Sequence, residues 1–217
     1  MKRFLNRESA GKELADRLIK FSKEPCVVLA IPRGGVPVGY AIARQLNAPL
    51  GLIWVKKIGH PLSPELAIGA VSPDDSFIAY KSAASDLYIQ SEIKKIRERF
   101  IEIKKNIQDP TEKMDLKNKT IIVVDDGIAT GHTILAAIQL LRRKLPAKII
   151  IAIPVAPDDA IDKLRGAADE VIITYQPEYF TGISSFYTDF TQLKDEEVAE
   201  YLRRMQKPDN PRVYSIL

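Results

Sequence analysis

Five short runs of apolar, mostly β-branched residues are spread along the chain. They cover residues 26–31, 50–55, 120–124, 148–155 and 170–174. Within each run the apolar positions are continuous rather than alternating, which is typical of parallel strands that are covered on both faces. Helical patterns lie between the runs and before the first one, at residues 8–22, 35–47, 132–144 and 158–166. This alternation predicts an α/β fold with an open, doubly wound, mostly parallel sheet.

One segment between the second and third runs departs from the alternation. Residues 59–85 carry turn residues around two short apolar runs and predict a loop followed by a hairpin. A long charged helix follows, with a narrow apolar seam formed by Ile89, Ile93, Ile96, Phe100, Ile103 and Ile107. Such a seam predicts a helix that pairs with another, either within an insertion at about residues 59–117 or across a homodimer.

The C-terminal part of the chain is rich in aromatic residues. Six of the 7 Phe and 8 Tyr lie within residues 175–190, and a last helical pattern follows at residues 195–206. We expect them to form a small C-terminal unit at about residues 175–217, which is called the hood below. We expect the hood and the insertion to belong to one domain that covers residues 1–217, because no linker of Pro, Gly or Ser separates them.

Composition excludes several classes of protein. The chain has 217 residues, one Cys and two His, so neither an internal disulfide nor a Cys/His zinc cluster can form. The longest apolar stretch, residues 149–156, is far shorter than the roughly 18 residues of a membrane span, and the charged N-terminus lacks the apolar core of a signal peptide. We therefore expect a cytoplasmic protein that does not bind membranes. A net charge of +4 gives little support for nucleic acid as a partner, and phosphorylated small molecules fit equally well.

The most informative segment for chemistry is IIVVDDGIATGHT, at residues 121–133. Its apolar part is a predicted strand, so Asp125 and Asp126 lie at the carboxyl end of that strand, where open α/β sheets bind ligands. Two carboxylates repel a phosphate unless they face other atoms, such as hydroxyl groups or a hydrated Mg²⁺. The simplest alternative for the acidic pair is a turn that only connects the strand to the next helix.

The rest of the segment predicts an anion site. Gly127 and Gly131 permit a tight turn, and the amides of residues 130–133 can converge at the start of the next helix. Thr130 and Thr133 add hydroxyl donors. A ribose that carries a 5-phosphate satisfies both the carboxylates and the amides. Residues 129–133 also resemble the FMN phosphate loop of flavodoxins, although that loop normally follows the first strand without an acidic pair, so a flavin-binding protein is a third alternative.

The same segment resembles the phosphoribosyl pyrophosphate (PRPP) motif of type I phosphoribosyltransferases. Residues 33–61 are similar to the pyrophosphate-loop helix and the following strand of adenine-type members of that family. The similarity to the family's core spans residues 26–155. The whole pattern, with its FYTDF segment and DEEV helix, is most similar to a bacterial and archaeal subgroup of predicted phosphoribosyltransferases with unassigned substrate.

This resemblance implies a Mg²⁺-dependent pentosyltransferase, a glycosyltransferase of nucleotide metabolism. It would transfer ribose 5-phosphate from PRPP to a nucleobase or a related nitrogen nucleophile and release pyrophosphate. Asp125 and Asp126 would bind the ribose hydroxyls, hold Mg²⁺ through water or those hydroxyls, and take part in catalysis with Arg33 and Lys57. The other residues implied in substrate binding are Gly34, Gly35, Gly127, Ala129, Thr130, Gly131, His132, Thr133 and Phe180.

The residues themselves agree with several of these roles. Arg33 lies two positions after the end of the first predicted strand and offers a bidentate fork for pyrophosphate oxygens. Lys56 and Lys57 are predicted to end the second strand at the same sheet edge. Side chains alternate along a strand, so only one of them reaches the site, and the resemblance favours Lys57. Phe180 is the first choice for a ring that stacks on a base, and Tyr179 the second, because residues 176–182 resemble the hood segment of purine phosphoribosyltransferases. The simpler alternative is that these rings only build the small core of the hood.

One position departs from the family's pattern. In members that act on 6-oxopurines, the third residue after the acidic pair is an Asp that serves as a base, and here it is Ala129. Hypoxanthine and guanine are therefore disfavoured as substrates, and no general base is identified. The main alternative function is a non-catalytic regulator that senses PRPP or nucleotides. Such regulators usually carry a nucleic-acid-binding surface or domain, and the sequence shows no helix-turn-helix pattern.

Overall fold

The structure is a computed structural model that describes residues 2–107, 112–113, 115–205 and 213–216. Its helices are α1 (Arg7–Leu18), α2 (Gly35–Leu46), α3 (Asp86–Ile107), α4 (His132–Arg142), α5 (Asp158–Arg165) and α6 (Asp195–Met205). Its strands are β1 (Cys26–Ala30), β2 (Leu50–Ile53), β3 (Lys56–His60), β4 (Ser63–Val71), β5 (Ser76–Ile78), β6 (Glu112–Lys113), β7 (Thr120–Val124), β8 (Lys148–Val155), β9 (Glu170–Tyr175) and β10 (Val213–Ile216). Within the described residues, no helix is both long and apolar enough to cross a membrane.

Seven strands form the central sheet, and all of its pairings are parallel. The strand order is β6-β10-β2-β1-β7-β8-β9. From β1 the chain proceeds to β2 on one side, whereas β7, β8 and β9 extend the sheet on the other side. The carboxyl ends of the adjacent strands β1 and β7 therefore meet at a topological switch point, which is where doubly wound sheets bind ligands.

Helices cover both faces of this sheet. Alternate residues of the buried strands point to opposite faces. Val28 and Ile122 pack in a core with α1, α2, α3 and α6, whereas Val27 and Ile121 pack in a second core with α4 and α5. The continuous apolar runs of the sequence thus arise because both faces of each strand are buried. The predicted doubly wound, parallel α/β fold is confirmed.

A second, smaller sheet follows β2. Its strands are antiparallel in the order β3-β4-β5, and β4 and β5 form the predicted hairpin. The prediction that Lys56 and Lys57 end the second strand is wrong, because β2 ends at Ile53 and the two lysines begin β3. The apolar run continues beyond Ile53 because Trp54 and Val55 are buried in the two cores after the chain has left the central sheet.

The apolar seam of α3 faces the protein's own core. Ile89, Ile93, Ile96, Phe100 and Ile107 are buried among residues of β3, β4 and α6, and Ile103 is half-buried. The ring of Phe100 lies 6.0 Å from that of Trp54. Packing within the chain therefore accounts for the seam without a second copy. An Ile96→Lys substitution would place a charge in this core and so would test folding rather than assembly.

The hood joins the N-terminus of the chain. A short 3₁₀ turn, Ile183–Phe186, and α6 follow β9. The amide of Phe4 donates to the carbonyl of Phe186 at 2.8 Å, and the amide of Thr188 donates to the carbonyl of Phe4 at 2.8 Å. Phe4, Phe186 and Tyr187 are buried together in a small aromatic core. This core fixes the first turn of α1 beside the carboxyl edge of the sheet.

Candidate functional site

The loops after β1 and β7 touch at the switch point. A Cβ atom at Gly34 would lie only 2.1 Å from Oδ2 of Asp126, and one at Gly35 would lie 2.7 Å from the carbonyl oxygen of Val124. Any side chain at these positions would collide with the neighbouring loop. Gly34 and Gly35 are therefore needed for the close approach of these two loops. The structure thus brings together the two segments that the sequence singled out, although Gly34 and Asp126 are 92 positions apart in the chain.

The two carboxylates have different partners. Oδ1 of Asp125 accepts a hydrogen bond from the amide of Asp126 at 2.8 Å. Oδ2 of Asp126 accepts one from Nε of Arg7 at 2.7 Å, and both of these side chains are largely buried, with 12% and 11% of their surface exposed. The hydroxyl of Tyr187 donates to the carbonyl oxygen of Asp126 at 2.5 Å. The strand, α1 and the hood together hold this acidic pair.

Burial governs the ionisation of the acidic pair. Loss of water contact raises the pKa of Asp125 well above its ordinary value, and the neighbouring charge of Asp126 raises it further. Burial also raises the pKa of Asp126, although Arg7 acts in the opposite direction. The same surroundings raise the pKa of the Tyr187 hydroxyl. A ligand that brings hydroxyl donors or a cation would therefore stabilise the ionised pair.

Arg7 is a component of the site that the sequence did not reveal. Besides Asp126, its guanidinium contacts the ring of Phe190, with 3.8 Å between Cζ and the ring centroid, and donates to the carbonyl of Thr191 at 2.9 Å. Its position at the start of α1 is set by Asn6, whose side chain accepts from the amide of Ser9 at 2.9 Å. The residues Asn6 and Ser9 indicate where a helix starts, but no feature of the sequence indicates that Arg7 contacts Asp126.

The loop from Gly127 to α4 has the geometry of an anion site. Gly131, with φ +77°, is the residue before the first turn of α4. Among the described residues, the backbone amides of Thr130, Gly131 and Thr133 have no hydrogen-bond partner; the amide of Leu135 is the first to bond back, to Gly131 at 2.9 Å. Ala129 and Thr130 are exposed, whereas His132 and Thr133 are half-buried. These amides lie at the start of an 11-residue helix, an arrangement that can bind a phosphate-sized anion.

A cavity of about 600 Å³ lies between the loop that follows β1, helix α3 and the hood. Its polar lining includes three guanidinium groups and one carboxylate, from Arg7, Arg33, Arg99 and Asp126. Trp54 and Phe190 line it with aromatic rings. Arg99 is exposed on α3 and also faces this cavity. The excess of guanidinium groups favours a ligand with several anionic oxygens.

Other predicted site residues lie in less direct positions. The amide of Gly35 already donates to the carbonyl of Ile31 at 3.0 Å, so it is occupied within the loop. Lys57 is half-exposed on β3 and does not line the cavity. Phe180 is half-buried and stacks on Phe186, with 5.6 Å between ring centroids. The ring that faces the cavity from the hood is Phe190 rather than Phe180.

The residues at the switch point fit Mg²⁺ that arrives with a phosphorylated ligand. Mg²⁺ usually binds one or two carboxylates together with substrate phosphates, rather than a cage of protein ligands. Asp125 and Asp126 supply two carboxylates beside the amides of the anion site. In the described part of the chain, no group of three or more His, Cys, Asp or Glu side chains could hold a metal ion. The remaining ligands would have to come from the substrate and water.

Comparisons with known proteins identify relatives of nearly the whole chain. Residues 2–190 match the phosphoribosyl transferase domain. A Mycobacterium tuberculosis protein with the provisional name phosphoribosyl transferase is 36% identical over 212 residues, which cover 95% of this chain and 48% of the relative. The chain therefore spans about half the length of the curated relatives that it matches in this way. The crystal structure of TT1426 from Thermus thermophilus is 33% identical with a TM-score of 0.86, and the match covers 93% of this chain and 98% of that one.

A further similarity is confined to a short segment. A ribose-phosphate pyrophosphokinase from Pyrococcus furiosus is 36% identical to this chain over 63 residues, which amount to 28% of this chain and 23% of that enzyme.

Proposed function

Because this chain belongs to the phosphoribosyl transferase family, we propose that it binds PRPP at the junction of β1 and β7 and transfers ribose 5-phosphate to a nitrogen nucleophile. The family match confirms the resemblance seen in the sequence. We also propose that the acceptor is a nucleobase or a related nitrogen nucleophile, that the reaction depends on Mg²⁺, and that single residues have the roles given below. The name of the ribose-phosphate pyrophosphokinase relative supports a ligand of the ribose phosphate class.

The observation that carries this proposal is the contact between Gly34 and the carboxylate of Asp126. It brings three chemically different surfaces together, namely an acidic pair, open amides at the start of α4, and guanidinium groups around the cavity. A ribose on the acidic pair could place its 5-phosphate at the amides and its diphosphate at Arg33. PRPP has these three groups on one sugar ring.

The reaction requires that the bond between C1 and the diphosphate oxygen breaks while positive charge develops on the ribose ring. Arg33 would contact the departing diphosphate, and preorganised charge of this kind is usually the largest catalytic contribution. Asp125 and Asp126 would orient the sugar hydroxyls and favour the developing cation. Arg7 would favour the ionised form of Asp126. Mg²⁺, when bound, would add a further positive charge at the leaving group.

Two further assignments rest on the resemblance seen in the sequence, because neither residue lines the cavity. We assign Lys57 to the leaving group as a second cation, on the strand that begins the smaller sheet. We assign Phe180 to stacking on the base, since aromatic stacking contributes about 1 to 3 kcal/mol per base. Phe180→Ala should then raise the KM of the accepted base, while Phe186 and Tyr187 keep the hood folded. An unchanged KM in a folded variant would place the base elsewhere.

A regulator that senses PRPP without turnover is the second candidate function. Ala129 favours it, because this residue is exposed in the loop and supplies no base. Both functions use the same binding site, and turnover decides between them. Purified protein would be incubated with Mg²⁺, PRPP and a panel of bases, and nucleotide and pyrophosphate would be measured. Binding without product would support the sensor.

The site itself is tested by removing both carboxylate charges. In the Asp125→Asn, Asp126→Asn double variant we expect the Mg²⁺-dependent part of PRPP binding to disappear. Asp159→Asn is the matched control, because Asp159 is an exposed carboxylate in the first turn of α5. A double variant that binds PRPP as tightly as the wild type would contradict the assignment.

A further inference from the structure

We infer that Asp195, at the start of α6, is a positioning residue that holds the guanidinium of Arg33 ready for a diphosphate. This inference rests on the proposed function and deepens it. Nε of Arg33 lies 2.7 Å from Oδ1 of Asp195, and the Asp195 side chain is only 12% exposed, whereas that of Arg33 is 36% exposed. A buried carboxylate thus holds a more accessible cation that lines the cavity.

The contact uses one edge of the guanidinium and leaves the other. Asp195 lies at Nε, and no other polar group among the described residues contacts the Arg33 side chain. The Nη1 and Nη2 donors therefore stay available as a pair. Two parallel N–H donors match two oxygens of a phosphate group, which gives both affinity and orientation. Arg33 can thus bind a diphosphate without releasing Asp195.

Asp195 is itself held from two sides. Its Oδ2 accepts a hydrogen bond from Nδ2 of Asn106 in α3, at 3.3 Å. The buried residues Val198 and Leu202 fix α6 against the core. Oδ1 of Asp195 is buried and accepts no hydrogen bond within the described residues, so the ion pair with Arg33 compensates its charge. If a ligand displaced Asp195 from Arg33, this charge would stay buried without compensation, which is costly.

A purely structural explanation for Asp195 is that acidic residues in the first turn stabilise any helix. Glu196 lies in the same first turn but is exposed and makes no contact with the site. Glu196→Gln is therefore the matched control for the loss of one negative charge at this helix end. Of these two acidic residues, only Asp195 should change the binding of a diphosphate when it is substituted.

The experiment measures binding of inorganic pyrophosphate and of ribose 5-phosphate by titration calorimetry to the full chain. We expect Asp195→Asn to weaken pyrophosphate binding by roughly tenfold, which is about the effect of one charged contact, and to leave ribose 5-phosphate binding unchanged. Arg33→Ala should weaken pyrophosphate binding at least as much, and the double variant should be no weaker than Arg33→Ala alone, because the two residues act as one unit.

Each outcome bears on a defined claim. Unchanged or tighter pyrophosphate binding by Asp195→Asn would overturn the inference, as would equal losses for both ligands or additive losses in the double variant. Asp195→Glu keeps the charge but moves it, and this second variant should lose less pyrophosphate binding than Asp195→Asn does. If both variants bind pyrophosphate as tightly as the wild type, the inference is also overturned. If the wild type binds neither ligand, the proposed function itself fails.

Discussion

Two ion pairs between Arg and Asp lie at opposite edges of the central sheet. At the carboxyl edge, Nε of Arg7 lies 2.7 Å from Oδ2 of Asp126. At the amino edge, Nη1 of Arg142 lies 2.7 Å from Oδ2 of Asp169, which also accepts a hydrogen bond from the amide of Ile149 at 2.7 Å. The first pair is nearly buried, whereas 39% and 40% of the second pair's side-chain surface is exposed.

The two carboxyl groups respond in opposite ways to the same contact. Burial raises the pKa of Asp126 in spite of Arg7. Burial also acts to raise the pKa of Asp169, but the hydrogen bonds from Arg142 and from the amide of Ile149 outweigh it and the pKa is lowered. The distance between the charges therefore does not decide the outcome. The ion pair between Arg142 and Asp169 at the amino edge contributes to the fold. At the carboxyl edge, the ionised form of Asp125 and Asp126 is disfavoured by burial, and a ligand can stabilise it.

The largest effect is expected where the loop meets the carboxyl edge. Gly34→Ala would place a Cβ 2.1 Å from Oδ2 of Asp126, so either the carboxylate or the loop must move. A displacement of about 1 Å in a catalytic site can cost roughly 100-fold in rate, and we expect a loss of at least that order in kcat/KM for PRPP. Steady-state kinetics would measure it.

The control for this prediction is Gly166→Ala at the end of α5. There the nearest atom to a new Cβ is the carbonyl oxygen of Lys163 at 3.8 Å, and φ is −77°, which any residue adopts. Its kinetics should match those of the wild type. Wild-type turnover by Gly34→Ala would mean that the contact with Asp126 is not required.

The second prediction compares the two arginines directly. Arg7→Met leaves the buried Asp126 without its cation, and removal of one partner from a buried pair typically costs about 3 kcal/mol or more. Arg142→Met removes a half-exposed partner, and pairs of that kind contribute at most about 1 kcal/mol. Urea unfolding at neutral pH would give both changes in the free energy of unfolding. Equal losses in the two variants would contradict the contrast between the edges.

Much of the fold follows from local pattern. The strands β1, β7 and β8 lie within one residue of the predicted runs, because a strand that is buried on both faces must be apolar throughout. The sequence could not show where β2 ends, because Trp54 and Val55 are also buried and keep the same apolar pattern. A burial pattern records which residues avoid water, and it does not record which strand they pair with.

The candidate site was predictable only in part. Asp125 and Asp126 could be identified because the acidic pair, the glycines and the threonines are adjacent in the sequence. Arg7 and Asp195 could not, because each meets its partner only through tertiary packing, across 119 residues in the case of Arg7 and Asp126. Charged residues at helix starts are common, and nothing local distinguishes those that face a site.

The third prediction concerns the stability of the acidic pair. The pKa of Asp125 is raised in the folded state, so the folded protein binds this proton more tightly than the unfolded chain does. Stability therefore falls as pH rises from about 4, the ordinary value, through the folded pKa. Asp125→Asn cannot ionise and keeps an oxygen for the amide of Asp126, so we expect it to be about 1 kcal/mol more stable than the wild type at pH 8.

Denaturant unfolding at pH 8 tests this change, and PRPP binding measured in parallel should be strongly weakened. Such a variant would show that the site is held at some expense of stability for the sake of its ligand. A loss of stability at pH 8 would instead show that the fold itself requires the Asp125 charge.

The smallest effect, and the one of opposite sign, is expected at the amino edge. The lowered pKa of Asp169 means that the unfolded chain binds this proton more tightly, so its contribution to stability is present above about pH 4 and is lost as pH falls through the folded pKa. Asp169→Asn should therefore be less stable than the wild type at pH 7, by at most about 1 kcal/mol because the pair with Arg142 is half-exposed.

The difference in stability between the two proteins should shrink when they are unfolded at about pH 3, where the wild-type carboxylate is being protonated. If Asp169→Asn were instead more stable than the wild type at pH 7, as predicted for Asp125→Asn at pH 8, burial and not the hydrogen bonds would dominate at both edges.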